Sequence, residues 1–289
     1  MPHRPEFWGL PYPLSAIIVY SLLSLASIIM LYRIYRIISL WRKVGRSEMR
    51  WDRPFERLNR LIQHGLIQRG ILRQRYSGIM HILIAWSIIV LFTGTPVGVA
   101  NAYIFKGFLS GNVFLIYKLV MDLSIIVFFT GAGMAAYRRF VQRPGRLTLD
   151  RRFVVSLALL SLIVLTGPMV EGARLAVLQP DYALWMPVGW LFSQIFIALG
   201  TPDANVLILG QQGNLIYTLF YLFHMLLVMI ALVTVPVSPL KHVITTPLNI
   251  FFSNLGPMGS LTSMQEDHLG NLLLAGDLRG LTWKQLLDS

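Results

Sequence analysis

Five apolar runs, each close to the thickness of a bilayer, constrain this chain more than any other feature. They cover Leu14 to Leu40, Gly78 to Pro96, Val113 to Tyr137, Phe153 to Met169 and Asn214 to Val235, and a helix needs about 20 apolar residues to cross hydrocarbon. The first run is too long for a signal-peptide core and lacks a small-residue cleavage site, so it is expected to persist as a helix. A weaker stretch, Trp185 to Gly200, is short and aromatic, which predicts an interfacial or re-entrant helix. The expected fold is an all-α integral membrane protein: a five-helix transmembrane bundle over residues 1–249, a short interfacial helix and a cytoplasmic C-terminal tail over 250–289.

Composition agrees. Hydrophobic residues make up 55% of the chain and charged residues 13%, about half the charge of an ordinary soluble domain. The net charge of +12 would suggest nucleic acid in a soluble protein, but the basic residues lie between apolar runs, so the lipid surface is the expected partner and no nucleic acid is. There is no cysteine, which removes disulfides, thiolate nucleophiles, iron-sulfur ligation and c-type haem attachment.

Lys and Arg alternate sharply between connecting segments. Arg42, Lys43, Arg46, Arg50, Arg53, Arg57, Arg60, Arg69, Arg73 and Arg75 lie around the first connection, and Arg138, Arg139, Arg143, Arg146, Arg151 and Arg152 around the third. The segments from 97 to 112 and from 170 to 213 hold only Lys106 and Arg174. The positive-inside rule then predicts a multi-pass protein of the cytoplasmic membrane, N-terminus outside and C-terminus cytoplasmic.

Ionisable groups in such helices carry a function or a partner. Of the six histidines, His3 and His268 lie near the ends; the others form two pairs, His64 with His81 and His224 with His242, spaced 17 and 18 residues apart. On antiparallel segments, His64 and His242 fall at the cytoplasmic side and His81 and His224 deeper. Bis-imidazole ligation of two b-type haems is the simplest use of that arrangement. Unbroken helix would separate the ligands by about 26 Å, a distance that Gly65, Gly70, Gly78, Pro236 and Pro239 are expected to shorten. A hydrogen-bonded packing role for each histidine is the alternative, and the arginines around His64 read equally as a basic interfacial loop or as partners of haem propionates.

The stretch His64-Gly-Leu-Ile-Gln-Arg-Gly-Ile-Leu-Arg73, followed by Tyr76-Ser-Gly-Ile-Met-His81 and Phe92-Thr-Gly-Thr95, resembles the second helix of nitrate-reductase gamma-like cytochrome b domains. Within that superfamily the chain is most similar to the membrane part of iron-sulfur oxidoreductases related to heterodisulfide reductase, especially electron-transfer-flavoprotein:menaquinone oxidoreductases. Tyr137-Arg-Arg, Trp185-Met-Pro-Val-Gly, Phe223-His224, Pro239-Leu-Lys-His242 and Pro247-Leu-Asn249-Ile-Phe-Phe extend the resemblance over nearly the whole chain. It implies a dihaem cytochrome b subunit exchanging electrons between a cytoplasmic iron-sulfur partner, linked to an electron-transfer flavoprotein, and the menaquinone or other quinone pool. In fused relatives a segment like Gly280 to Asp288 leads into a cysteine-rich domain. The expectation is therefore that a separate subunit carries the clusters, or that the chain is a fragment; a solvated extension is the other reading of the tail.

For the quinone, the candidates are Lys118 and Asp122, one helical turn apart on a shared face, and Glu171 and Arg174, expected just outside the fourth helix. Lys118 and Asp122 read equally as an intrahelical ion pair. Gly131 and Gly133 leave room for a neighbouring helix or a porphyrin edge. Two other classes remain open at this level: a transporter or channel relaying protons or metal ions through its histidines, and a haem-free scaffold tethering a soluble enzyme.

Overall fold

The computed structural model describes residues 10, 13–44, 49–145, 150–208 and 211–256. Its helices are α1 (Leu14–Val44), α2 (Pro54–Arg60), α3 (Arg75–Phe92), α4 (Gly94–Val99), α5 (Gly111–Tyr137), α6 (Arg151–Leu178), α7 (Pro187–Ala198), α8 (Leu215–Thr234) and α9 (His242–Phe251). Five segments are long and apolar enough to cross a membrane: Leu14–Lys43, Arg75–Ile104, Gly111–Gln142, Arg151–Leu178 and Leu215–Val237. Large aliphatic side chains such as Ile17, Ile28, Leu31 and Ile116 on them are exposed, the reverse of a water-soluble core.

All five expected runs are present, and the largest difference is in the fourth. The apolar run read from the sequence ends at Met169, yet α6 continues to Leu178 with Pro168 inside it. An internal proline costs about 3 kcal/mol, and packing beyond it offsets that cost. Gly172 lies so close to α7 that a Cβ there would stand 2.5 Å from Phe192 Cβ, and Val170, Ala173 and Ala176 form a buried cluster with Phe196 and Tyr217. The weak sixth stretch is α7, a 12-residue helix, too short to span alone. A two-stranded antiparallel hairpin, β1 (Asn205–Ile208) and β2 (Gln211–Asn214), precedes α8 and pairs Asn205 with Asn214; nothing in the sequence reading anticipated it.

The backbone divides into two compact units, Met1–Ser27 with Gln74–Leu232, and Ile28–Arg73 with Val233–Ser289. In the first, Ile125, Phe128 and Ala132 of α5 bury against Val164 of α6 and Ile84, Ile88 and Leu91 of α3. Hydroxyls on these apolar helices donate back to their own turns: Ser87 to the Leu83 carbonyl at 2.6 Å, Ser124 to Val120 at 2.7 Å and Ser156 to Arg152 at 2.8 Å. That satisfies each polar group within its own helix, as a hydrocarbon surrounding would require.

In the second unit, Arg57 is 1% exposed and joins two chain segments. Its Nε donates to the Asp52 carbonyl at 2.7 Å, Nη2 to Asp52 Oδ1 at 2.7 Å, and Nη1 to the Phe251 and Ser253 carbonyls, both at 2.9 Å. Arg60 Nη1 adds a bond to the Asn254 carbonyl at 2.7 Å, and Trp51 meets the Phe252 ring edge-on at 5.0 Å between centroids. Phe55 and Leu58 of α2 and Ile62 of the turn that continues it are exposed. The tail beyond 256, including the Gly280 to Asp288 segment, lies outside the described residues.

Gly131 of α5 meets a neighbouring helix. A Cβ at 131 would stand 2.9 Å from Leu83 Cβ and 3.1 Å from the Ile84 backbone nitrogen of α3, whereas one at 133 would meet nothing within 4 Å. Gly131→Ala is expected to lower stability by about 1–3 kcal/mol through overpacking, while Gly133→Ala leaves the melting temperature in detergent unchanged or higher.

Candidate functional site

His224 sits in the middle of α8, half-buried. Its Nδ1 lies 2.8 Å from Thr166 Oγ1 of α6, and that hydroxyl donates to the Leu162 carbonyl at 2.8 Å. Where the hydroxyl proton goes to the backbone, Thr166 is the acceptor for the ring, and the matching neutral tautomer has its hydrogen on Nδ1 and its lone pair on Nε2. Gly167 keeps the space beside the ring narrow: a Cβ there would be 3.8 Å from His224 Cε1.

His242 shows the same chemistry by another route. It begins α9 after the 3₁₀ turn Pro239–Lys241, and its Nδ1 lies 2.7 Å from the Pro239 carbonyl oxygen. A carbonyl only accepts, so the ring donates from Nδ1 in this contact, which leaves Nε2 as the nitrogen not engaged by Pro239. A hydrogen bond from the non-ligating nitrogen to a carbonyl or similar acceptor is what orients histidine in metal and haem sites.

His64 lies in the π-helical turn Leu61–Leu66 that continues α2 and is exposed; such π turns recur at functional sites. Gly65 beside it faces Ile250 of α9, whose Cδ1 would be 3.7 Å from a Cβ at that position, so the segments bearing His64 and His242 pack together within one unit. His81 is half-buried on α3 in the other unit, which also holds His224. His64 and His242 thus fall in one compact unit and His81 and His224 in the other. Thr166 and the Pro239 carbonyl, the groups that orient two of these rings, were missed. Thr166 is 58 residues from His224, and no local pattern marks it.

The four quinone-side candidates meet in the first unit, with partners other than those expected. Lys118 Nζ reaches across to Glu171 Oε1 of α6 at 3.1 Å, and Arg174 Nη2 bonds the same oxygen. Asp122 is 5% exposed, and its carboxylate accepts from the backbone N–H groups of Val188 at 2.5 Å and Gly189 at 3.4 Å. It thereby caps α7 from a neighbouring helix, where the first N–H groups have no intrahelical acceptor. Glu171 and Arg174 are inside α6, not beyond it, and Arg174 is 1% exposed. Its Nε and Nη1 are buried with no hydrogen-bond acceptor among the described residues. An apolar groove of about 450 Å³ runs past Val188 and Phe192 between α5, α6 and α7.

Comparison with known proteins places this geometry in context. No protein-family model matches the chain, and no solved structure matches it. The EtfAB:quinone oxidoreductase of Syntrophomonas wolfei is 22% identical over 282 residues, 94% of this chain and 38% of that protein. The probable iron-sulfur-binding oxidoreductase FadF of Bacillus subtilis is 25% identical over 255 residues, 85% of this chain and 34% of that protein. The chain thus spans little more than a third of the length of these curated relatives.

Two outcomes follow from the polar contacts. Glu171→Gln leaves Lys118 and Arg174 facing each other without a carboxylate, and the loss is expected to be about 3–5 kcal/mol, read as a large drop in melting temperature. In the second unit, the Arg57 hydrogen bond holds the Asp52 carboxyl below its ordinary value of 3.8. The stabilisation from this contact is complete above that ordinary value and is lost as the pH falls through the lower folded value. Asp52→Asn is expected to flatten that part of the melting-temperature profile between about pH 5 and pH 2.

Proposed function

We propose that the chain is a multi-pass membrane electron-transfer subunit of a quinone oxidoreductase system, with two b-type haems held by His64 with His242 and by His81 with His224. The observation that carries this reading is the orientation of His224: Thr166 fixes the Nδ1–H tautomer on an apolar helix and directs Nε2 to serve as a ligand. His242, held by the Pro239 carbonyl, supports the same role. The matched relatives are named for quinone and iron-sulfur oxidoreductase activities, and those names support the two electron-exchange partners proposed here: an iron-sulfur protein and a membrane quinone.

The residues of this chain divide the work. The four imidazoles are suited to hold iron through Nε2, and bound haem would supply one-electron oxidation and reduction. Thr166 and the Pro239 carbonyl orient their rings and raise the basicity of the ligating nitrogen. At the other site, the Nε and Nη1 donors of Arg174 suit the carbonyl oxygens of a quinone ring, and Glu171, Lys118 and Asp122 are the groups suited to move protons to or from it. The alternating basic segments support an N-terminus outside, a cytoplasmic C-terminus and a cytoplasmic iron-sulfur partner.

The test is the haem-to-protein ratio of the purified chain with its absorbance spectrum. The expected result is two haems per chain with b-type bands, and one each in His224→Ala and His242→Ala. Thr166→Val is expected to keep both haems and shift the midpoint potential of one. A folded, colourless preparation would overturn the proposal and favour a transporter.

A further inference from the structure

Arg75 opens α3 and Arg138 follows the last residue of α5, so two basic side chains stand at one end of two adjacent membrane-length helices. They line a polar pocket of about 350 Å³ together with Gln74, Tyr76, Ser77 and Gln142. Neighbouring arginines are engaged within the protein: Arg139 lies over the Phe153 ring at 5.5 Å, and Arg143 Nε donates to the Phe140 carbonyl at 2.8 Å. Arg75 and Arg138 differ, since neither has a carboxylate within ion-pair distance among the described residues. Two cations converging on one concavity repel each other until an anion joins them.

The surroundings indicate which anion. Ile79, one turn after Arg75 on α3, Tyr137 next to Arg138, and Phe140 and Val141 in the π turn that ends at Gln142 are exposed, so the elements that bring hydrogen-bond donors to the pocket also carry apolar surface. The Gln74 side chain makes no cap to α3, and the first N–H groups of that helix add donors at the same end. A free phosphate uses only the pocket. A phospholipid uses both surfaces, and basic pockets between membrane helices are known lipid head-group sites.

We infer that the pocket between Arg75 and Arg138 binds the phosphate of an anionic phospholipid whose acyl chains lie against Ile79, Tyr137 and Phe140. The inference rests on the membrane placement proposed above, and it is independent of the haem assignment. Both guanidiniums contact the phosphate, Gln142 supplies a further donor, and the bound lipid ties the ends of α3 and α5 together.

The test is native mass spectrometry of the full chain, delipidated in detergent and titrated with phosphatidylglycerol or phosphatidylcholine. The expected result is a saturable phosphatidylglycerol adduct, absent with phosphatidylcholine at the same concentration and resistant to inorganic phosphate. Arg75→Gln with Arg138→Gln is expected to weaken it by about tenfold or more, while Arg139→Gln has no effect and Arg75→Lys retains most binding. Unchanged circular dichroism and haem content in the double variant separate loss of this site from misfolding or loss of the cofactor. Equal adducts with both lipids, displacement by inorganic phosphate, unchanged binding in the double variant, or loss of haem in its place would each overturn the inference.

Discussion

A hydrogen-bonding side chain on a helix surrounded by hydrocarbon must find its partner within the protein, because no water is there to substitute. That constraint organises the first unit. Small hydroxyls return their protons to the preceding turn, Asp122 caps α7, and Glu171 holds two cations at one oxygen. Thr166 does something more with the same rule. Its hydroxyl lies within hydrogen-bond distance of both its own helix and His224 Nδ1, so an ordinary backbone-satisfying hydroxyl also orients a histidine ring. Arg174, with buried donors still unmatched among the described residues, is where the rule predicts an acceptor from outside the chain.

The second unit solves a related problem with charge. Arg57 gathers the Asp52 backbone and side chain and the carbonyls of Phe251, which ends α9, and Ser253 beyond it into one buried guanidinium. Hydrogen bonds from a charged donor to carbonyls are worth about 1.5–3 kcal/mol each, so this residue sets how α2 and its π turn meet α9. His64 and His242 are carried on those two elements. Their mutual placement depends on a side chain that binds no cofactor.

Much of the architecture was legible from apolar run length alone, which needs no knowledge of tertiary contacts. What failed to be legible depends on partners distant in sequence. The fourth apolar run stops at Met169, but Gly172 and Ala173 pack on α7 tightly enough to carry α6 beyond it, which moves Glu171 and Arg174 from outside the helix into its interior. Spacing placed Lys118 and Asp122 on one face correctly, yet the exposed N–H groups of α7 and the carboxylate of Glu171 drew them to other partners. Gly131 and Gly133 look equivalent in sequence, and only the approach of α3 separates them. The Nδ1 contact of His224 was not legible, because Thr166 lies 58 residues away in the chain.

The central claim is that the oriented imidazoles act in pairs on iron. Near-infrared magnetic circular dichroism of the oxidised, purified chain tests it most directly, because the charge-transfer band position distinguishes axial ligand sets. The account predicts bands of low-spin ferric haem with two imidazole ligands, lost in part when His224 or His242 is replaced. Bands of high-spin or mixed-ligand haem, or bound haem whose spectrum is indifferent to all four histidines, would contradict it.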